Sequence, residues 1–159
     1  HNQKAKKLKN FCSFLIDNYN GNIEKFFEND VVKIRNELLS INGIGPETAD
    51  SIILYAAKKP IFVIDAYTKR IMSRIGYKEE RYEELQKLFM DNLENDEKYF
   101  NEYHALLVEL GKNYCRKNAP LCANCPLNRA CNYYKAIFSK GHRDDWNRIE
   151  ERINLKLKR

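Results

Sequence analysis

Four cysteines, Cys115, Cys122, Cys125 and Cys131, stand within 17 residues of one another in the spacing C-x6-C-x2-C-x5-C. Pro120 and Pro126 bend the intervening chain so that the four sulfurs can converge on one point, which is the requirement of a metal centre. A pair of disulfides is the competing use of such cysteines, and it belongs to oxidising compartments. Four thiolates satisfy a tetrahedral zinc as well as they satisfy an iron-sulfur cluster. Generic zinc ribbons, however, hold two C-x2-C pairs well apart, and here Cys122 and Cys125 form a single pair. Cys12 lies far upstream on the apolar face of a helix and reads as a core thiol.

Two further groups of residues can do chemistry. Gly43-Ile44-Gly45 is followed by Pro46, a residue suited to the first position of a helix. Absent side chains at the glycines let a backbone approach closely, and the amides opening the next helix point outward, where anions bind well. A bare turn between two helices needs the same glycines. Asp65 follows the apolar run Ile61 to Ile64 and stands where it can cap the helix that begins at residue 66. Glu47, in the first turn after the glycines, complements the helix dipole. Between the first two cysteines, Arg116-Lys117-Asn118 makes a small basic loop, either a solvated turn or a contact for phosphate.

The elements that must position these residues are helical. Apolar spacing of three and four predicts a helix over 3–19 with Ala5, Leu8, Phe11, Cys12 and Leu15 inward, ended by Asn20-Gly21. A short helix with Ile23, Phe26 and Phe27 follows, then one with Val32, Leu38 and Leu39 ending near Ser40. Helices are predicted over 46–58, 66–75, 81–94 and 97–113, with 61–64 as an extended buried connector because no second strand pairs with it. Residues 132–159 read as a charged helical tail. In that tail Lys135, Lys140, Arg143, Arg148 and Arg152 are diluted by Asp144, Asp145, Glu150 and Glu151.

The chain has 159 residues, 43% hydrophobic and 31% charged, enough for one compact domain or two small lobes. No apolar run approaches the roughly 20 residues needed to cross a bilayer. Neither that composition nor the N-terminus carries a secretory signal, which places the expectation in the cytosol. Lys and Arg number 28 against 22 Asp and Glu, a net +6 with a pI near 9.0, which suits a polyanionic partner. The chain begins at His1 with helical periodicity almost at once, which reads as a fragment with part of its machinery upstream.

In order and separation, three motifs resemble the endonuclease III-like helix-hairpin-helix DNA glycosylase superfamily. Ile41-Asn42-Gly43-Ile44-Gly45 resembles the hairpin, and Val63-Ile64-Asp65-Ala66-Tyr67 the segment carrying an essential aspartate. Tyr103-His104-Ala105-Leu106-Leu107 through Gly111 to Cys115 resembles the helix leading into a cluster, and the cysteine spacing is that of the family's [4Fe-4S] centre. The likeness spans about residues 38 to 131.

It implies an all-α, partial helix-hairpin-helix glycosylase fold. Residues 1–59 would be the C-terminal part of a helical barrel with the hairpin at about 31–58, residues 60–131 an iron-sulfur domain, and residues 132–159 the tail. The N-terminal helices of the barrel, with the base pocket and the wedge that fills the vacated stack, would lie upstream. It further implies a monomer acting near the nucleoid, with double-stranded DNA carrying a damaged base as partner and no membrane. Asp65 would be catalytic, Gly43, Ile44, Gly45, Arg116 and Lys117 would meet DNA, and Cys115, Cys122, Cys125 and Cys131 would hold [4Fe-4S], with zinc the weaker alternative. Carbonyls of Leu39, Ile41 and Ile44 would hold a monovalent cation.

Bifunctional relatives use a lysine two residues past the second glycine as a nucleophile, and that position here is Glu47, which cannot form an imine. The resemblance therefore implies a monofunctional glycosylase. Glu47, Asp50 and the Asp65-Ala-Tyr sequence look most like the branch containing a bacterial 3-methyladenine glycosylase. An endonuclease III-type glycosylase and lyase for oxidised pyrimidines, or a DNA-binding module without catalysis, are the alternatives.

Overall fold

The computed structural model describes residues 2–79 and 81–139. Most of the tail expected over 132–159, including Lys140, Arg143, Arg148 and Arg152, lies outside the described residues. Among the described residues eight α-helices run in order: α1 (Asn2–Tyr19), α2 (Ile23–Phe27), α3 (Val31–Ser40), α4 (Pro46–Ser51), α5 (Ala66–Ile75), α6 (Tyr82–Asn92), α7 (Glu97–Asn113) and α8 (Asn132–Ser139). A π-helical turn, Ile52–Ala56, continues α4, and single 3₁₀ turns occur at Cys122–Asn124 and Asn128–Ala130. No strand occurs among the described residues, in keeping with the all-α expectation.

Local chemistry starts these helices. Asn22, Asp30, Asp65 and Asp96 each cap a helix by accepting the backbone N–H three residues on, at 2.7 to 2.9 Å. Gly76, at φ +132°, closes α5 by donating its amide to the Met72 carbonyl.

Phe26, Ile34, Leu38, Ile53, Leu54, Phe62, Ile64, Ile71, Leu85 and Phe100 are fully buried and belong to one hydrophobic core. Its centre is the connector Ile61 to Ile64, which carries no helix and is buried throughout. There Phe62 stacks on Phe89 with ring centroids 4.1 Å apart and meets Phe100 edge to face at 5.6 Å. The connector thus holds the next residue, Asp65, against a rigid floor.

Two expectations fail in detail. The inward stripe of α1 is Phe11, Phe14 and Leu15, while Ala5, Leu8 and Cys12 are exposed, so Cys12 is no core thiol. The spacing of α1 supports two adjacent apolar stripes, and only the one that reaches Phe26 is covered by the described chain. The helix expected over 46–58 gives way to π geometry after Ser51 and ends at Ala56, where the Ala57 amide reaches back five residues to Ile52.

Under the hairpin, Asp50 is fully buried on α4 and takes Arg35 Nε and Nη2 at 2.7 and 3.2 Å and Gln86 Nε2 at 2.7 Å. Gln86 also donates to the Phe62 carbonyl at 2.6 Å. The Asp50 bond and charge hold the Arg35 guanidinium more firmly protonated than usual. Burial, followed by the Asp50 charge, raises the nearby Tyr82 phenol far above its ordinary range, so it keeps its proton while accepting the Ile64 amide at 3.3 Å. α3, α4, α6 and the connector are locked together by this buried polar network.

Candidate active site and metal centre

Asp65 is 9% exposed and caps α5, its Oδ1 accepting the Thr68 amide at 2.7 Å. Its Oδ2 lies 3.7 Å from Nε2 of buried His104 on α7, an ion-pair contact longer than a hydrogen bond. The other ring nitrogen of His104, Nδ1, is hydrogen-bonded to the hydroxyl of Tyr55 in the π turn. Burial pushes the Asp65 carboxyl up, but His104 and the Thr68 amide outweigh it and hold the group below the usual carboxylate range. Three elements therefore meet at one ionised carboxylate. His104 was visible in sequence only as part of the motif leading to the cysteines, and Tyr55 carried no signal, because its approach depends on the π turn.

Around the start of α5 lie two open concavities. One is lined by Ala66, Lys69, Arg70, Ser73 and Lys117 among others, the second by Tyr67, Arg70, Lys112, Arg116 and Lys117 among others. Arg116 and Lys117 thus face the same surface as the residue following Asp65. Lys69 and Lys112 join them there, a pairing that only the packing of α5 on α7 creates.

The hairpin is buttressed by α1. Asn10 Nδ2 donates to the Asn42 carbonyl at 2.8 Å, and a Cβ placed on Gly43 would come within 2.8 Å of Lys7 Cγ. Gly43 also has φ +95°, so glycine is required there on both counts. Gly45 has φ −101°, and nothing lies within 4 Å of where its Cβ would be, so the fold itself does not need a glycine there. Glu47 is exposed in the first turn of α4. The Ile41 carbonyl accepts the Ile44 amide at 3.0 Å, so a cation at Leu39, Ile41 and Ile44 would share that oxygen.

The sequence-predicted metal ligands come together: Cys115, Cys122, Cys125 and Cys131 line one recess with Arg74, Tyr114, Asn128, Tyr133 and Tyr134. Burial, and then the neighbouring thiols Cys131 and Cys115, push the Cys122 thiol up to about 11. Four soft donors around one recess fit a thiolate-bound metal group. Among the described residues no three His, Cys, Asp or Glu side chains close on a single-ion position.

The protein's own side chains also support the cysteine loop. Arg70 donates to the carbonyls of Cys115 and Gly111, at 2.8 and 3.2 Å. Arg74 donates to Cys115 Sγ at 3.2 Å, to the Arg116 carbonyl at 2.7 Å and to the Lys117 carbonyl at 3.2 Å, with its guanidinium 4.8 Å over the Tyr133 ring. Two arginines of α5 tie the basic loop to the helix that Asp65 caps.

No family model matches the chain. A protein of Methanocaldococcus jannaschii whose name provisionally makes it a DNA repair glycosylase is 50% identical over 135 residues, covering 82% of this chain and 60% of that protein. The structure of a non-covalent endonuclease III–DNA complex superposes with a TM-score of 0.71 at 25% identity, covering 86% of this chain and 60% of the other. Helicobacter pylori 3-methyladenine DNA glycosylase bound to 1,N6-ethenoadenine gives a TM-score of 0.63 at 30% identity, covering 70% and 56%. The chain spans about three-fifths of the length of the curated relatives it matches. Among the described residues no helix is long and apolar enough to cross a membrane.

Proposed function

The chain belongs to the endonuclease III-like helix-hairpin-helix superfamily of DNA glycosylases, and on that premise we propose that its protein is a monofunctional base-excision enzyme acting on alkylated bases in double-stranded DNA. One observation carries the proposal: an ionised, buried aspartate fixed at a helix start beside a basic surface.

A target base is unreachable inside the stack and must be turned out of the duplex before its glycosidic bond breaks. As the base departs, positive charge develops on the sugar, and Asp65 stabilises it electrostatically and orients the attacking water. The Thr68 amide and the cap geometry fix the carboxylate for that task. Arg116 and Lys117 take phosphates on one side, while the amides after Gly43-Ile44-Gly45 take the backbone at the hairpin, with a monovalent cation on the carbonyls of Leu39, Ile41 and Ile44. Exposed Glu47 offers no amine to the sugar, so base removal ends in hydrolysis.

Cys115, Cys122, Cys125 and Cys131 hold a [4Fe-4S] cluster in this reading, since their single C-x2-C pair departs from the paired knuckles of a zinc ribbon and their spacing resembles that of the family's cluster. When bound, the cluster supplies structural cross-linking of the loop. The enzyme works at the DNA of the cytoplasm as a monomer.

The test is excision from a panel of duplexes carrying 3-methyladenine, 1,N6-ethenoadenine, an oxidised pyrimidine or a G:T mismatch, with borohydride added in parallel. Release of alkylated bases without a covalent enzyme–DNA product is expected. A trapped adduct, or preference for the oxidised pyrimidine, overturns the monofunctional alkylation reading.

A further inference from the structure

The side chains behind Asp65 carry an inference that rests on its catalytic reading and deepens it. His104 Nδ1 is bonded to the Tyr55 hydroxyl, while Nε2, buried and with no hydrogen-bond partner among the described residues, faces Asp65 Oδ2 at 3.7 Å. Phe62 stands perpendicular to the imidazole at 6.4 Å between centroids. Burial, and then the charge of Asp65, raise the Tyr55 phenol above its ordinary range, so it always has a proton at neutral pH.

We propose that Tyr55 and His104 are positioning residues for Asp65: Tyr55 pins the imidazole so that Nε2 always carries a proton toward Oδ2, keeping the carboxylate ionised and oriented for base excision. The argument is one of proton counting. A neutral imidazole has one N–H and one lone pair. The Tyr55 hydroxyl can donate or accept, but an Nδ1–H imidazole would turn the bare Nε2 lone pair on the Asp65 carboxylate 3.7 Å away, so the phenol donates to Nδ1 and the N–H sits on Nε2. A charged imidazolium carries protons on both nitrogens, so Nε2–H faces Asp65 in that state too.

The carboxylate therefore accepts the Thr68 amide at Oδ1, while the Nε2–H of the imidazole faces Oδ2 at 3.7 Å, an electrostatic contact beyond hydrogen-bond length. Such a group is a weak base, which assigns Asp65 to stabilising the sugar's charge rather than to removing a proton from water. The titratable groups facing Asp65 are His104 from α7 and Tyr55 from the π turn. No charged Lys or Arg among the described residues makes an ion pair with it.

Two measurements on the full-length protein test this. Long-range nitrogen–proton NMR of the histidine rings should show His104 as the Nε2–H form in the wild type and as a mixture of tautomers in Tyr55→Phe. Single-turnover excision across pH, on whichever duplex of the lesion panel is processed, should slow on the order of 100-fold in His104→Leu with DNA affinity unchanged. The acid limb of its profile should move up. His104→Gln, which can present an N–H near the place of Nε2, should restore much of the rate and return the limb toward its original position.

An Nδ1–H tautomer in the wild type overturns the proposal. So do His104→Leu and Tyr55→Phe proteins with wild-type rate and profile when Asp65→Asn has lost excision, and in that case the catalytic reading of Asp65 survives. Excision retained by Asp65→Asn removes the catalytic reading instead, and the NMR arm still decides whether the pinned tautomer exists. Tyr55 is 38% exposed, so its loss of one hydroxyl should leave the fold intact.

Discussion

Replacing Asp65 separates its two tasks. As the cap of α5 it accepts a buried amide at 2.7 Å, and as a charge it faces the developing sugar cation. Asn caps a helix about as well as Asp, whereas Ala removes the acceptor and strands the Thr68 N–H away from water. A lost cap costs about 1 to 2 kcal/mol, and the unsatisfied amide brings the Ala variant to about 2 kcal/mol or somewhat more. For a protein of this size that is a fall in Tm of roughly 4 to 8 °C. Asp65→Asn should lose less than about 1 kcal/mol.

Excision should respond the other way, with Asn and Ala both slowed by about 10² to 10³, the scale for removing one preorganised electrostatic group. The sign of the pH dependence follows from the depressed carboxyl of the folded protein. Its contribution to stability is present above the unfolded carboxyl value of about 3.9, and is lost as pH falls through the lower folded value. The advantage of wild type over Asp65→Asn should therefore shrink below about pH 4. Thermal melts at several pH values and single-turnover excision by the full-length protein read both tasks. If Asn destabilises as much as Ala, the cap is misassigned; if Asn excises at the wild-type rate, the charge role is wrong.

The other predictions concern the surroundings of this carboxylate. Gly43→Ala, forced to φ +95° against Lys7, should cost about 1 to 3 kcal/mol in urea unfolding, whereas Gly45→Ala should leave stability within about 1 kcal/mol and weaken binding to duplex DNA. Equal destabilisation by both, or unchanged DNA binding by Gly45→Ala, contradicts the backbone-contact reading. Asp50→Leu leaves the largely buried Arg35 unpaired and should cost about 2 to 4 kcal/mol, most of it recovered in the double variant with Arg35→Met. Cys122→Ser should abolish the broad visible absorption of an iron-sulfur centre in the purified protein; a colourless wild-type protein containing zinc refutes the cluster. Arg74→Met should weaken DNA binding by loosening the carbonyls of Arg116 and Lys117, with the loss smaller in high salt.

Much of this was legible in the chain itself, because helical periodicity, Asx caps and glycine turns act locally. The cap at Asp65 needs only the next three residues, and the cysteine spacing needs only a loop that folds back. Those signals announced the helices, the hairpin, the four thiols and the candidate aspartate.

What the sequence left undetermined was long-range. Which of two adjacent stripes of α1 turns inward depends on where Phe26 sits, and so Leu8 and Cys12 emerged exposed. The π turn of residues 52–56 contains no Gly or Pro that would announce it and packs against α3 and α7, where Tyr55 meets a histidine 49 positions away. Arg70 and Arg74 look like ordinary surface cations in a helix, yet they find the backbone of a loop more than 40 residues on. Composition and spacing name the side chains able to do chemistry; the meeting of α5, α7 and the π turn decides which proton faces which oxygen, because that depends on distances of a few ångströms that no local pattern encodes.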